Sequence, residues 1–249
     1  MCLLKMRNAS RIGAIVLALS VLVPAAAGQF GVSPIRIDMD RGSRSGAITV
    51  SNDEDAEPLR AQLRLFEWTQ DASGKDEYQL NEDLLYFPRL MNLEVGEQKV
   101  VRVGLRTPAL EREKTYRLYI EELPAPPTPG GARVAISVRF GVPIFVKPAQ
   151  EDLRGEIDKL TMDKGVLRIG VRNRGNVHFT IKSITASSGD AFSREMSGWY
   201  LLTGAAREHT MALTAQDCAR LKQIEVTVKA EPALELKGTL NVNASMCGV

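Results

Sequence analysis

The chain has 249 residues, is 44% hydrophobic and 25% charged, and carries a formal net charge of +2. That length suits one or two domains, and a composition near the globular average excludes collagen, a coiled coil and wholesale disorder. So small a net charge gives no reason to expect nucleic-acid binding.

Residues 1–11 hold Lys5, Arg7 and Arg11 and no acid, residues 12–23 are almost wholly apolar, and Pro24 leads into Ala25, Ala26 and Ala27. A basic start, a short apolar run and small residues at the cut make a secretory signal peptide, expected over 1–28 with cleavage after Ala27 or Gly28. The run falls short of the ~20 apolar residues that span a bilayer. Its removal leaves 29 of the 32 bases against 30 acids, so the expected mature charge is −1. Cys2 leaves with it. Cys218 and Cys247 remain, and in an oxidising compartment a lone pair is most simply a disulfide.

From residue 29 onward the pattern is that of short strands. Val32 to Met39 alternates Ile35, Ile37 and Met39 with Arg36 and Asp38. Ala47 to Val50 precedes a turn. Leu59 to Trp68 sets Leu59, Ala61, Leu63 and Leu65 on one parity and Arg60, Gln62 and Arg64 on the other. Further strands are expected at 84–87, 99–105, 115–123 and 133–146. This period of two, punctuated by Gly, Pro, Asn and Asp, predicts antiparallel strands with one wet face. Lys147-Pro148-Ala149-Gln150-Glu151-Asp152 interrupts it, and seven more strands are expected at 156–161, 166–172, 177–186, 199–202, 209–213, 224–229 and 234–242. The expected architecture is all-β, two immunoglobulin-like sandwiches over 29–147 and 148–249.

The cysteines fit this pattern. A two-residue turn at Pro232-Ala233 pairs positions whose numbers add to 465, as 218 and 247 do. The two sulfurs are therefore expected opposite each other in a terminal hairpin.

Chemistry of the catalytic kind is missing from the sequence. His178 and His209 are the only histidines, and both are expected to be surface or capping residues at the starts of strands. There is no metal-binding histidine pair, phosphate loop or dinucleotide fingerprint, so no enzyme, cofactor or metal is expected. The adjacent acids Glu121 and Glu122 point to opposite faces of a strand and make no acid–base dyad.

The stretch 123–150 contains no acid but three bases, Arg133, Arg139 and Lys147, and an apolar strand runs through it with Val134, Ile136, Val138, Phe140, Val142 and Ile144 on one parity. Placed at a sheet edge, such a strand can pair with another chain and insert its side chains into that chain's groove.

These residues resemble the periplasmic pilus-assembly chaperones, the PapD-like group. The resemblance rests on Val32-Ser33-Pro34-Ile35-Arg36, on Ile48-Thr49-Val50-Ser51-Asn52, and on Leu93-Glu94-Val95-Gly96-Glu97 leading to Val101-Arg102-Val103. It continues through Tyr116-Arg117-Leu118-Tyr119-Ile120-Glu121-Glu122-Leu123-Pro124, Pro143-Ile144-Phe145-Val146-Lys147-Pro148-Ala149 and the turn Asn173-Arg174-Gly175-Asn176. It implies two sandwiches set as an L or boomerang, located in the periplasm. The first lends its last strand to an incomplete pilus or surface-coat subunit and passes that subunit to an outer-membrane usher. By position, Val134, Ile136, Val138 and Phe140 match the donor residues. Arg36 matches the arginine that anchors the subunit's C-terminal carboxylate, a task its planar fork suits. The family's partner lysine is replaced by Pro143, with Arg139 and Arg89 as candidate substitutes, which points to a divergent branch. Glu122 and Lys147 match a pair that bridges the domains. Whether the free chain self-associates to cover its edge is left open. The alternative is a stand-alone secreted adhesive or ligand-binding sandwich working through its tip loops.

Overall fold

The structure, a computed structural model, describes residues 30–247 except 55, 110 and 125–136. The expected signal segment, Val134 and Ile136 lie outside the described residues. The first half comprises β1 (Phe30–Ser33), β2 (Ile37–Met39), β3 (Ser45–Asn52), β4 (Leu59–Gln70), β5 (Asp76–Leu80), β6 (Leu84–Phe87), β7 (Leu90–Leu93), β8 (Gln98–Leu105), β9 (Lys114–Glu122) and β10 (Arg139–Val146). One sheet has the order β1-β3-β8-β6. The facing sheet runs β2-β10-β9-β4-β5, with β7 also paired to β4.

Alternation builds the core between them. Leu59, Ala61, Leu63 and Leu65 of β4, Tyr116, Leu118 and Ile120 of β9, and Val142, Ile144 and Val146 of β10 are all buried. They meet Ile48 and Val50 of β3 and Val101, Val103 and Leu105 of β8. Two inner faces of alternate residues packed in this way are the sandwich expected from the sequence.

The second half comprises β11 (Gly155–Asp163), β12 (Val166–Asn173), β13 (Phe179–Ser188), β14 (Phe192–Met196), β15 (Tyr200–Leu201), β16 (Ala206–Ala212), α1 (Ala215–Arg220), β17 (Gln223–Glu231), β18 (Leu234–Asn241) and a final 3-10 turn, Ala244–Cys247. Its sheets are β11-β12-β16 and β14-β13-β17-β18, with β15 also on β13. Along β13 the buried parity changes from Phe179 and Ile181 to Ile184 and Ala186, because the register shifts between Ile181 and Ser183. The extra residue of such a bulge turns the following side chains to the other face.

Three expectations need correction. The strand read as Val32 to Met39 is two strands in different sheets: β1 lies antiparallel to β3, and β2 lies parallel to β10. Pro34 between them has no N–H with which to continue a ladder. The strands β5, β7 and β14 were not expected. In β5 every residue from Glu77 to Leu80 is exposed, so no inward parity announces it.

The third correction concerns the cysteines. The disulfide Cys218–Cys247 forms as expected. The hairpin argument for it fails, because the β17–β18 ladder pairs Ala230 with Leu234 and Gln223 with Asn241, one residue off the assumed register. The sulfurs instead sit beyond the strands, on α1 and on the final 3-10 turn, both buried.

Candidate functional site

β10 has two different sides. Its ladder with β9 runs from Arg139 to Val146, whereas its ladder with β2 covers only Ile144–Val146. Among the described strands, Arg139–Pro143 therefore pair on one side only. Val138 and Phe140, on the core parity, are half-buried against the edge of the first core. The Phe140 ring meets Phe30 edge-on at 5.0 Å. At the start of this stretch the Glu122 carboxylate accepts the Val138 N–H at 3.2 Å, and its carbonyl accepts the Ser137 hydroxyl at 2.7 Å.

That contact corrects the expected Glu122–Lys147 pair. Antiparallel register puts Glu122 beyond Arg139 and puts Lys147 beyond Val146, at opposite ends of the ladder. The separation is roughly 25 Å at about 3.3 Å per residue. Lys147 pairs instead with Glu151 at 3.0 Å.

The opposite parity of β10 faces the second domain. Pro143 lies directly across from Arg117 on β9. Continuing the β2–β10 register back one residue from Ile144–Ile37 puts Arg36 on the other flank of Pro143. Two arginines thus straddle the proline in one row across three strands. Arg36 lies over the Phe145 ring at 4.7 Å. Its Nε and Nη2 donate to the two Asp38 carboxylate oxygens at 2.8 and 2.6 Å. Burial weakens its charged form, but the hydrogen bonds and charge of Asp38 outweigh this and hold the proton more firmly than usual.

Arg117 is held differently. Its guanidinium lies over Trp68 at 4.1 Å, with Tyr78 and Trp199 at about 6 Å. Its Nε is buried and has no hydrogen-bond partner among the described residues. Among the described residues no carboxylate sits on this half-buried cation, whose neighbours are the faces of aromatic rings. Arg117 is not among the substitutes expected from the sequence, Arg139 and Arg89, because its place depends on the register between two strands. The signal was the neighbouring strand, where Arg117 sits on the outward parity between Tyr116 and Leu118. The candidates chosen lie elsewhere. Arg139 shares the outward face but is four residues up the strand, over Tyr119 at 4.5 Å. Arg89 sits between β6 and β7, over Tyr86 at 5.2 Å, with β9 and β4 between it and β10.

The junction behind this row is largely apolar. Trp68, Phe145 and Leu202 form a small core, with Tyr200 packed against it. His178 is buried here, contrary to its expected surface position, and stacks on Phe145 at 3.6 Å. One oxygen of the buried Glu113 carboxylate accepts both the His178 N–H at 2.8 Å and contacts its Nδ1 at 2.7 Å. His209 is also buried, in the middle of β16. Asn176 clasps the linker: its carboxamide accepts from the Asp152 N–H and donates to the Glu111 and Gln150 carbonyls. A second contact comes from the β4–β5 hairpin. The Gln70 carboxamide donates to the Tyr200 carbonyl at 3.0 Å and accepts the Leu202 N–H at 2.9 Å, as a neighbouring strand would.

Comparison with known proteins agrees with this geometry. A family model described as pili and flagellar-assembly chaperone, PapD N-terminal domain, matches residues 29–151. Over 128 residues the chain is 28% identical to "Probable fimbrial chaperone EcpE" of Escherichia coli (strain K12), covering 49% of this chain and 50% of that protein. The chain thus spans about half the length of the curated relatives it matches. A chain of the CsuC-CsuE chaperone-tip adhesion subunit pre-assembly complex, from the archaic Csu pili of Acinetobacter baumannii, superposes with a TM-score of 0.60 at 18% identity. That match covers 84% of this chain and 98% of the other. The class 5 fimbriae chaperone CfaA gives 0.55 at 14% identity, covering 86% and 99%. At these identities the likeness carries the fold, two immunoglobulin-like domains.

Proposed function

This chain belongs to the PapD-like family of pilus-assembly chaperones, and from that premise we propose that it captures fibre subunits in the periplasm by lending them a strand. In this reading residues 1–28 direct export, 29–147 form the donor domain and 148–249 form the second domain. The observation that carries it is the open side of β10 at Arg139–Pro143, next to apolar side chains that are only half covered. An incomplete subunit sandwich supplies the missing pairing, and Val138 and Phe140, with Val134 and Ile136 upstream, fill its groove. Each side chain fully buried contributes about 1.5–3 kcal/mol before association costs. Strand pairing and apolar burial supply the binding energy, so no nucleotide, cofactor or catalytic group is required. The subunit is then handed to an outer-membrane usher.

The subunit's C-terminal carboxylate is held across Pro143, by Arg36 on one side and Arg117 on the other. Arg117 takes the place of the family's missing lysine. The test is co-expression with small secreted β-rich subunits of a chaperone-assembled fibre, followed by pull-down from periplasmic extract. Ile136→Asp abolishes subunit capture and leaves the chaperone folded by circular dichroism. Normal recovery of subunits with that variant sinks the donor-strand reading.

A further inference from the structure

Every hydrogen bond recorded for the Arg36 guanidinium goes to Asp38, two residues along the chain in β2. The contact is bidentate, the geometry a terminal carboxylate would itself adopt on an arginine fork. Neither group is locked away: the side chains are 38% and 40% exposed. Asp38 stands beside Phe145 in the parallel β2–β10 register, one step along from the Arg36–Pro143–Arg117 row. An anion arriving at Pro143 therefore meets one guanidinium that carries no carboxylate among the described residues, that of Arg117, whose Nε itself is buried, and one whose Nε and Nη2 are engaged.

We propose that Asp38 is an internal stand-in for the partner's carboxylate, holding Arg36 in the empty cleft and giving it up when a chain terminus binds. The proposal rests on the carboxylate reading above and adds a competitor to it. Arg117 makes the first contact, because its charge is not shared. Arg36 joins only as its fork turns from Asp38 to the incoming carboxylate, two nearby anions that also repel each other. The exchange swaps one charge-assisted pair for another, so capture is weaker and more readily reversed than with an unshared arginine. A chaperone that must later release its subunit gains from that weakness. An exposed ion pair of this kind contributes at most about one kcal/mol, which sets the size of the effect at roughly 2- to 5-fold in affinity.

The probes are acetyl-(Val-Thr)3 with a free C-terminal carboxylate and the same peptide as its amide, titrated calorimetrically against full-length mature protein. Asp38→Asn keeps the side-chain shape and Asp38→Ala removes it. The position changed is exposed, and circular dichroism checks that the fold is kept. The expected result is that wild-type protein prefers the acid to the amide, and that both variants bind the acid roughly 2- to 5-fold tighter with the amide unchanged. Equal binding of acid and amide by wild-type protein removes the carboxylate reading itself. If wild type discriminates but the variants bind the acid no tighter, Asp38 is not a competitor. If they bind it more weakly, Asp38 positions Arg36 instead, and the proposal is overturned. Tightening of acid and amide alike also overturns it, since that reports a general change in charge.

Discussion

Removing His178 tests whether the domains are joined by a buried histidine–carboxylate contact. The Glu113 side chain is wholly buried, and its Oε2 takes both the His178 N–H and the contact with Nδ1. Its Oε1 has no partner among the described residues. His178→Leu therefore strands a carboxylate that keeps one backbone hydrogen bond, at a cost of about 3–5 kcal/mol. Glu113→Gln keeps an acceptor for the N–H and loses only the charge, at about 1–3 kcal/mol. At roughly 2–4 °C per kcal/mol for a chain of this size, the leucine variant melts about 6–20 °C lower. Fluorescence is the fitting assay, because Trp68 and Trp199 are the only tryptophans and both lie at the junction. Urea titration followed by fluorescence should show the loss at a lower midpoint than circular dichroism, which follows all the strands. Glu151→Ala, which breaks only the exposed Lys147 pair, should change neither by more than about 1 kcal/mol. Midpoints for His178→Leu within about 0.5 kcal/mol of wild type would refute the argument that the pair is energetically buried. So would a larger loss for Glu113→Gln than for His178→Leu.

Replacing both cysteines with alanine frees a chain separation of 29 residues and should cost about 3–4 kcal/mol, seen as a lower urea midpoint for the second domain. Burial, reinforced by the charge of Arg207, lowers the pKa of His209 below its usual 6.5. The unfolded chain then binds the proton more readily, so His209 contributes stability that is present above pH 6.5 and lost as the pH falls toward its folded value. His209→Asn should flatten the pH dependence of the melting temperature in that window, and an unchanged slope counts against it. At Gly74 the backbone has φ +78°, and an added Cβ would stand 2.6 Å from the Ala206 carbonyl of the other domain. Gly74→Ala should cost more than about 1 kcal/mol and loosen the hairpin contact, measured as faster amide exchange at Leu202.

The two sandwiches were legible because their information is local. Alternation along Leu59–Leu65 or Tyr116–Ile120 states which side chains face inward without reference to any partner. The elements that were missed carry their information across strands. β5 is exposed along nearly its whole length, and Tyr78 matters only through what Trp68 and Arg117 bring beside it. The disulfide pairing was reached through a hairpin register that the three-residue connection at Glu231-Pro232-Ala233 does not have. A pair of cysteines in a chain expected to be exported is sufficient ground for the bridge, and the arithmetic adds nothing. His178 was placed at the surface because the sequence holds no sign of a second domain closing over it. Arg117 shows the same limit most clearly. In sequence it is one cation in a run of alternating residues, and only the register across to Pro143 gives it a place.

That register also ties the proposed functions of β10 together. Its core parity carries Val138 and Phe140, and its outward parity carries Pro143, flanked by the arginines. Both belong to one strand whose pairing with β9 is continuous from Arg139 to Val146. If a subunit's carboxylate is fixed at the Pro143 row, the subunit strand that follows β10 has its register fixed as well. The positions facing Phe140 and Val138 are then set by counting, about 3.3 Å per residue along the strand. A slip of one residue would turn every donor side chain to the wrong face. An amidated or extended subunit terminus should therefore cost more than its lost ion pair. It should also broaden the set of registers in which the strand is bound, which cross-linking from a cysteine introduced at Val138 would resolve as several products in place of one.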